Sequence, residues 1–96
     1  MAWIEVHQAL RGHRKTLALR RQLGMESDAQ AIGHLVCLWL WTLDNAPDGD
    51  LSEMDDATIA YGADFPKSAR RIRKALQKAR FLDGKCIHNW KSTRAA

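Results

Sequence analysis

The sequence predicts a mainly α protein with a small β-hairpin, an α+β arrangement, and three stretches predict it. Residues 32–43 are the most apolar run, with Ile32, Leu35, Val36, Trp39, Leu40 and Leu43 at the i, i+3, i+4, i+7 spacing of one helix face. Residues 66–79 place Ala69, Ile72, Leu76 and Ala79 on one side of a helix and a set of cations on the other. Asp83-Gly84 stands between Phe81-Leu82 and the run from Lys85 to Trp90, and Asp-Gly between apolar runs is a strong hairpin signal.

From the N-terminus, Trp3-Ile4-Glu5-Val6 is a short candidate strand, since Trp and β-branched residues favour extended chain. A helix is expected from His13 to Leu23, with Leu17, Ala18, Leu19 and Leu23 apolar and Gly24 as its stop. Its Arg14, Lys15, Arg20 and Arg21 read as a solvated face ahead of a DNA-contacting one. A capping box, Ser27 with Gln30, opens the core helix, which is apolar most of the way round and ends at Asp44-Asn45, with Pro47 beyond.

Pro47-Asp48-Gly49-Asp50-Leu51 is a turn leading into extended chain, and Gly49-Asp50-Leu51 is positioned to add a short strand. Ser52 to Tyr61 reads as a short helix capped by Ser52, with three acids in its first turn, closed by Gly62. Ala63-Asp64-Phe65 is the next turn, and Pro66 suits the first position of the following helix, which runs to Ala79. Phe81 to Trp90 forms the hairpin, with a type I′ turn and Lys85 at its tip.

Ninety-six residues fit one domain, placed at residues 1–90, with 91–96 as a frayed basic tail or linker. A chain of this length buries a core without disulfides. Cys37 and Cys86 make no disulfide framework, and Cys37, inside the apolar run, reads as a small buried hydrophobe. That usage suits a reducing cytoplasm. Met1 to Glu5 lacks the pattern of a signal peptide. The apolar run is shorter than the roughly 20 residues needed to cross a bilayer, so no membrane partner is expected.

The net charge of +4 is unevenly spread. Residues 44–64 hold seven acidic and no basic side chains, whereas residues 66–96 hold ten basic ones and a single acid, Asp83. At 100° per residue, Lys67, Arg70, Arg71, Lys74 and Lys78 cluster opposite the apolar stripe, flanked by Arg73 and Arg80. Like charges three and four apart repel by a few tenths of a kcal/mol per pair. Local stability does not select such a ridge, whereas a polyanionic partner does. A lysine- and arginine-rich solvated face is the plainer alternative, and the asymmetry of the whole C-terminal third weighs against it.

Core helix, extended piece, short helix, tight turn, basic helix and hairpin follow one another in the order of a winged helix-turn-helix, here with an extra N-terminal strand and helix. The basic helix is then the recognition helix, sized for a major groove about 12 Å wide, and the hairpin is the wing. The candidate DNA-binding residues are Lys67, Ser68, Arg70, Arg71, Lys74, Lys78 and Lys85, with Arg14, Lys15, Arg73 and Lys91 as secondary contacts.

Nothing else suggests chemistry. His7, His13, His34 and His88 are scattered without zinc spacing, so neither metal nor cofactor is expected. His34 reads as a satisfied, partly buried histidine. Asp48, Asp50, Asp55 and Asp56 suit turns and caps, and no catalytic motif accompanies them, so no enzyme is expected. Trp39 is placed for packing, while Trp41 and Trp90 suit either packing, a dimer interface or stacking on bases.

The chain also resembles a known family. Ala2-Trp3-Ile4-Glu5-Val6-His7, His13-Arg14-Lys15-Thr16, Cys37-Leu38-Trp39-Leu40-Trp41, Asp44 through Ser52, Phe81-Leu82-Asp83 and Ile87-His88-Asn89-Trp90 are similar to the N-terminal winged-helix domains of bacteriophage replication-initiation proteins, the replisome-organiser and DnaD-like group. The resemblance spans nearly the whole chain. The block Trp39 to Leu51 is its distinctive part. It implies a domain that binds double-stranded origin DNA or mediates self-association as a homodimer, in the cytoplasm of a bacterial host. Replisome proteins are implied as partners through a separate C-terminal region that these residues do not include, so helicase loading is not carried over. The family often has glycine before Phe-Leu-Asp, whereas this chain has Arg80.

Two other functional classes compete. One is a protein-interaction or oligomerisation module built on Met1 to Trp3, His7, Leu10 and Trp41. The other is a membrane-surface or RNA binder using the same charge, against which the basic helix offers no large apolar anchors. Transcriptional regulation is the alternative role for a DNA binder.

Overall fold

A computed structural model describes residues 2–95, and in it the central apolar run becomes the helix on which the rest packs. Strand β1 (Trp3–Ile4) leads through a 3-10 turn (Gln8–Leu10) into α1 (Arg14–Leu23) and α2 (Asp28–Asn45). Then come α3 (Asp56–Gly62), α4 (Ala69–Lys78), the strands β2 (Leu82–Asp83) and β3 (Cys86–Ile87), α5 (Trp90–Thr93) and β4 (Arg94–Ala95). The protein is mainly helical with small antiparallel pairings, as its periodicities predict. None of the described helices is long and apolar enough to cross a membrane.

One core cluster joins Leu19 and Leu23 of α1, Leu35, Leu38 and Trp39 of α2, Ile59 of α3, Ile72 and Leu76 of α4, and Phe81, Ile87 and Trp90. The apolar run covers more of the α2 circumference than its neighbours do. Leu40 is therefore 49% exposed, and Cys37 is exposed rather than buried as the sequence suggested. Trp41 lies against α3, where a Cβ on Gly62 would meet its Cε3 at 2.6 Å. Gly62 thus serves close packing, and the left-handed residue that ends α3 comes two positions later, at Asp64.

Three helices end in the same motif. The residue two beyond the last full turn sends its N–H back five positions, while the left-handed residue before it bonds three positions back. Met25 reaches Arg20 O at 3.0 Å past Gly24, Phe65 reaches Ala60 O at 2.9 Å past Asp64, and Phe81 reaches Leu76 O at 2.9 Å past Arg80. The φ angles are +64° at Gly24, +52° at Asp64 and +70° at Arg80. Arg80 thus holds the conformation for which glycine was expected there.

Helix starts depart from expectation in several places. Ser27 precedes α2 without a side-chain cap bond, and Gln30 Oε1 accepts from Glu26 N–H, one residue too early for a capping box. Asp55, not Ser52, caps α3, its Oδ1 accepting from Thr58 N–H at 2.8 Å, so only Asp56 lies in the first turn. Ser52 is held in the preceding turn, where its N–H donates to Asp50 Oδ1. Ser68 caps α4 by accepting from Arg71 N–H at 3.2 Å, which leaves Pro66 and Lys67 ahead of the helix. At its far end α2 runs through Asn45 with no left-handed residue, and Ala46 closes it at φ −149°.

The hairpin pairs Leu82 with Ile87 and Asp83 with Cys86. Its loop is therefore Gly84-Lys85, not Asp83-Gly84. Positive φ falls on Gly84 alone, the sign pattern of a II′ rather than a I′ turn. Asp50 bridges to Cys86, and Ile87 N–H donates to Gly49 O at 2.8 Å, so the expected third short strand is present as a bridge.

The frayed tail is corrected over residues 91–95. Ile4 pairs with Arg94 and Trp3 with Ala95, and Glu5 N–H donates to Thr93 O at 2.7 Å. Trp90 Nε1 and Arg94 Nη1 both donate to Pro47 O, at 2.7 and 2.8 Å. The physical reason is non-local: the partner strand lies some ninety residues away, where no local pattern announces it. Met1 and Ala96 lie outside the described residues.

Candidate nucleic-acid interface

The basic helix takes its orientation from its apolar side. Ile72, Ala75 and Leu76 are buried among α1, α3 and the core, and this turns Arg70, Arg71, Lys74 and Lys78 to solvent. Lys67 is exposed just before the helix, and Ser68 is spent on its cap. Between α4 and the end of α1 runs a groove of about 470 Å³ lined by Gln22, Ser68, Arg70, Arg71, Lys74 and Lys78, four cations and no acid.

Helix α1 lies beside α4 in the opposite sense. At one end Arg71 Nη2 donates to Gln22 O at 3.4 Å, over the carbonyl end of α1, where the helix dipole favours a cation. At the other end Lys15 Nζ sits 4.7 Å from the centre of the Phe81 ring, just past α4. Arg14 and Arg21 are exposed on α1. Arg20 instead turns back to Met25 O at 3.2 Å and Asp28 at 3.5 Å.

Six of the sequence-predicted cations, Lys67 and Arg14 among them, do not line this groove, and three of the six are engaged by other parts of the fold. Arg73 forks onto Asp56, Nε to Oδ1 at 2.8 Å, and also donates to Gln77 Oε1 at 3.1 Å. Its hydrogen bond with Asp56 raises the Arg73 pKa and lowers that of Asp56. Lys85, at the hairpin tip, turns inward and donates Nζ to Met54 O at 2.7 Å. Lys15 is half-buried over Phe81, and burial pushes its pKa down, opposed by the charge of Asp83. Lys91 is exposed on α5, outside the groove lining. The groove residue that the sequence did not suggest is Gln22, because the α1–α4 pairing that engages its carbonyl is long-range.

Three acids of the acidic stretch are absorbed by local turns and a cap. Asp48 Oδ1 accepts from Asp50 N–H at 3.0 Å, and Asp50 and Asp55 hold the turn and cap already described. His34 Nδ1 lies 2.7 Å from Ala63 O, with Phe65 edge-on to its ring, the satisfied histidine that the sequence suggested. Trp90 is buried as packing. Comparison with protein families, curated proteins and solved structures gives no match to this chain.

Proposed function

We propose that this chain is a double-stranded DNA-binding winged helix-turn-helix, serving DNA replication initiation in a phage-type initiator. The observation that carries the reading is the exposed set Arg70, Arg71, Lys74 and Lys78, which lines one groove without an acidic residue in its lining, with Lys67 exposed just before the helix. Helix α2, the Asp50 bridge, α3, a turn through Asp64, α4 and the hairpin follow one another in winged-helix order. In this reading α4 enters the major groove, and its cations, with Arg14 and Arg21 of α1, neutralise phosphates. The hairpin contributes little charge, since its loop is two residues long and Lys85 is engaged with Met54.

Fluorescence anisotropy of labelled duplex at several salt concentrations tests this. Five phosphate contacts give a log–log salt slope of roughly −4 to −5. The variant Arg70→Glu/Arg71→Glu/Lys74→Glu, checked for folding by circular dichroism, is expected to abolish binding. Competition between origin-derived and scrambled duplex separates initiation from general affinity, and promoter duplex tests the regulatory alternative. Absence of wild-type binding at low salt overturns the DNA reading.

A second reading, self-association, is favoured by the exposure of Trp3 (56%), Val6 (49%) and Leu40 (49%). Of the residues first considered for it, Trp41 is partly covered by α3 and Leu10 is half-buried. Sedimentation against concentration distinguishes this reading.

A further inference from the structure

We propose that α2 recognises a second copy of this chain by packing antiparallel against the same helix of that copy. The two-fold axis passes between Val36 and Cys37 and sets Leu40 of each copy into the notch at Gly33 of the other. The proposal rests on the self-association reading above and gives it a surface.

The face is unpartnered within the chain. Ala29, Gly33, Cys37, Leu40 and Asp44 recur three and four apart, which puts them on one side of α2, and all of them are exposed. From Ala29 to Leu43 the helix carries no Asp, Glu, Lys or Arg, so its solvent side lacks the charges that an exposed helix face normally bears. Leu40 stands out from it, 49% exposed.

Shape and charge, two independent features, choose the occupant and its direction. Gly33 lies mid-helix, where glycine is among the weakest helix formers, and a Cβ built on it meets nothing within 4 Å. Its φ is not positive, so neither its backbone nor a neighbour in the chain calls for glycine. A missing side chain does admit a knob from outside, and Leu40, two turns along the same face, is such a knob. In an antiparallel pair the two meet reciprocally, because they lie equally far from the axis.

Asp44 sits near the negative end of α2, with no basic residue in the last turn and no ion-pair partner among the described residues. Antiparallel packing carries it to the first turn of the facing α2. There Arg11 and Arg20 hold Asp28 at 3.0 and 3.5 Å, and exposed Glu26 balances the second arginine, so the positive end of the helix dipole is left to receive Asp44. Parallel packing would instead set the two Asp44 carboxylates side by side.

The test is sedimentation velocity over a concentration series. A contact one helix wide lies at the small end of specific interfaces, so dimerisation is expected at roughly 10–100 µM. Gly33→Gln fills the notch with a good helix former whose Cβ has open space in the single chain. It is expected to weaken the dimer at least about tenfold and, in dilute protein, to raise the melting temperature. A glycine kept for the fold would lower that temperature when replaced. Leu40→Gln is expected to weaken the dimer to a similar degree. In a Cys86→Ser background, a short bis-maleimide is expected to join two Cys37 thiols across the axis, and Gly33→Gln to suppress the product. A wild type that stays monomeric at about 1 mM overturns this proposal together with the self-association reading. A dimer that survives both Gly33→Gln and Leu40→Gln, or that gives no Cys37 cross-link, overturns this proposal alone and assigns self-association to another surface.

Discussion

Arg73 grips Asp56 through two parallel hydrogen bonds, Nε to Oδ1 at 2.8 Å and Nη2 to Oδ2 at 3.2 Å, so one cation of the basic helix belongs to the fold. The planar guanidinium fork makes this contact, and lysine cannot reproduce it. Arg73→Ala is expected to lower the melting temperature, and Arg73→Lys to recover only part of the loss. Both variants should keep the wild-type affinity for duplex within about twofold and the wild-type salt slope. Thermal circular dichroism and anisotropy measure the two effects separately.

Lys74 and Lys85 make the opposite pair. Lys74 faces the open groove, whereas Lys85 donates to Met54 O. Lys74→Met should shrink the magnitude of the salt slope by about 1 and leave stability unchanged. Lys85→Met should leave the slope alone and reduce stability by about 1 kcal/mol, the typical net worth of such a hydrogen bond. Urea melts alongside salt titrations distinguish them.

Arg80 carries a left-handed backbone that L-residues adopt at a cost of about 1–2 kcal/mol. Arg80→Gly is therefore expected to stabilise the protein by up to about 1 kcal/mol, since glycine's greater freedom when unfolded offsets part of the relief. A rightward shift of the urea midpoint at constant m-value is the expected result.

Three carboxylates set the acid limit. Hydrogen bonds from Ser52 hold Asp50 below the usual carboxylate range, those from Thr58 do the same for Asp55, and the bond from Arg73 does so for Asp56. A folded pKa below the unfolded one means that the unfolded chain binds more protons in acid. Their contribution is complete above about pH 5 and fades as pH falls through the depressed values, below about 4. Melting temperatures should be flat between about pH 5 and 7 and then drop, and Asp55→Asn should show a smaller drop. Lys15 acts at the alkaline end, where its lowered pKa means that stability rises as its ammonium deprotonates.

Features written locally were legible in the sequence. The α1 stop at Gly24, the apolar and basic faces of α4, and the presence of a hairpin after Phe81 all follow from spacing and turn chemistry. Cys37, Lys85 and Arg73 were misplaced because each depends on what another element covers or offers: a bare face of α2, the Met54 carbonyl and the Asp56 carboxylate. The pairing of β4 with β1 depends on contact between distant segments, so residues 91–95 looked like a tail. The groove itself was half legible. Its cations lie on one helix, but its other wall is α1, and the hold of Gln22 O on Arg71 has no sequence signature.

The bracing of α4 by α1 has a thermodynamic consequence. Arg71 contacts the end of α1 near the first turn of α4 and Phe81 lies under Lys15 just past the last, so the ridge belongs to a helix already folded against α1 before any partner arrives. A partner meeting such a surface has no backbone to order. Its association should carry the modest heat-capacity change of rigid-body docking, not the large negative value of folding on binding. Loosening the brace from within, at buried Leu19, would then weaken binding through entropy while leaving every charge in place.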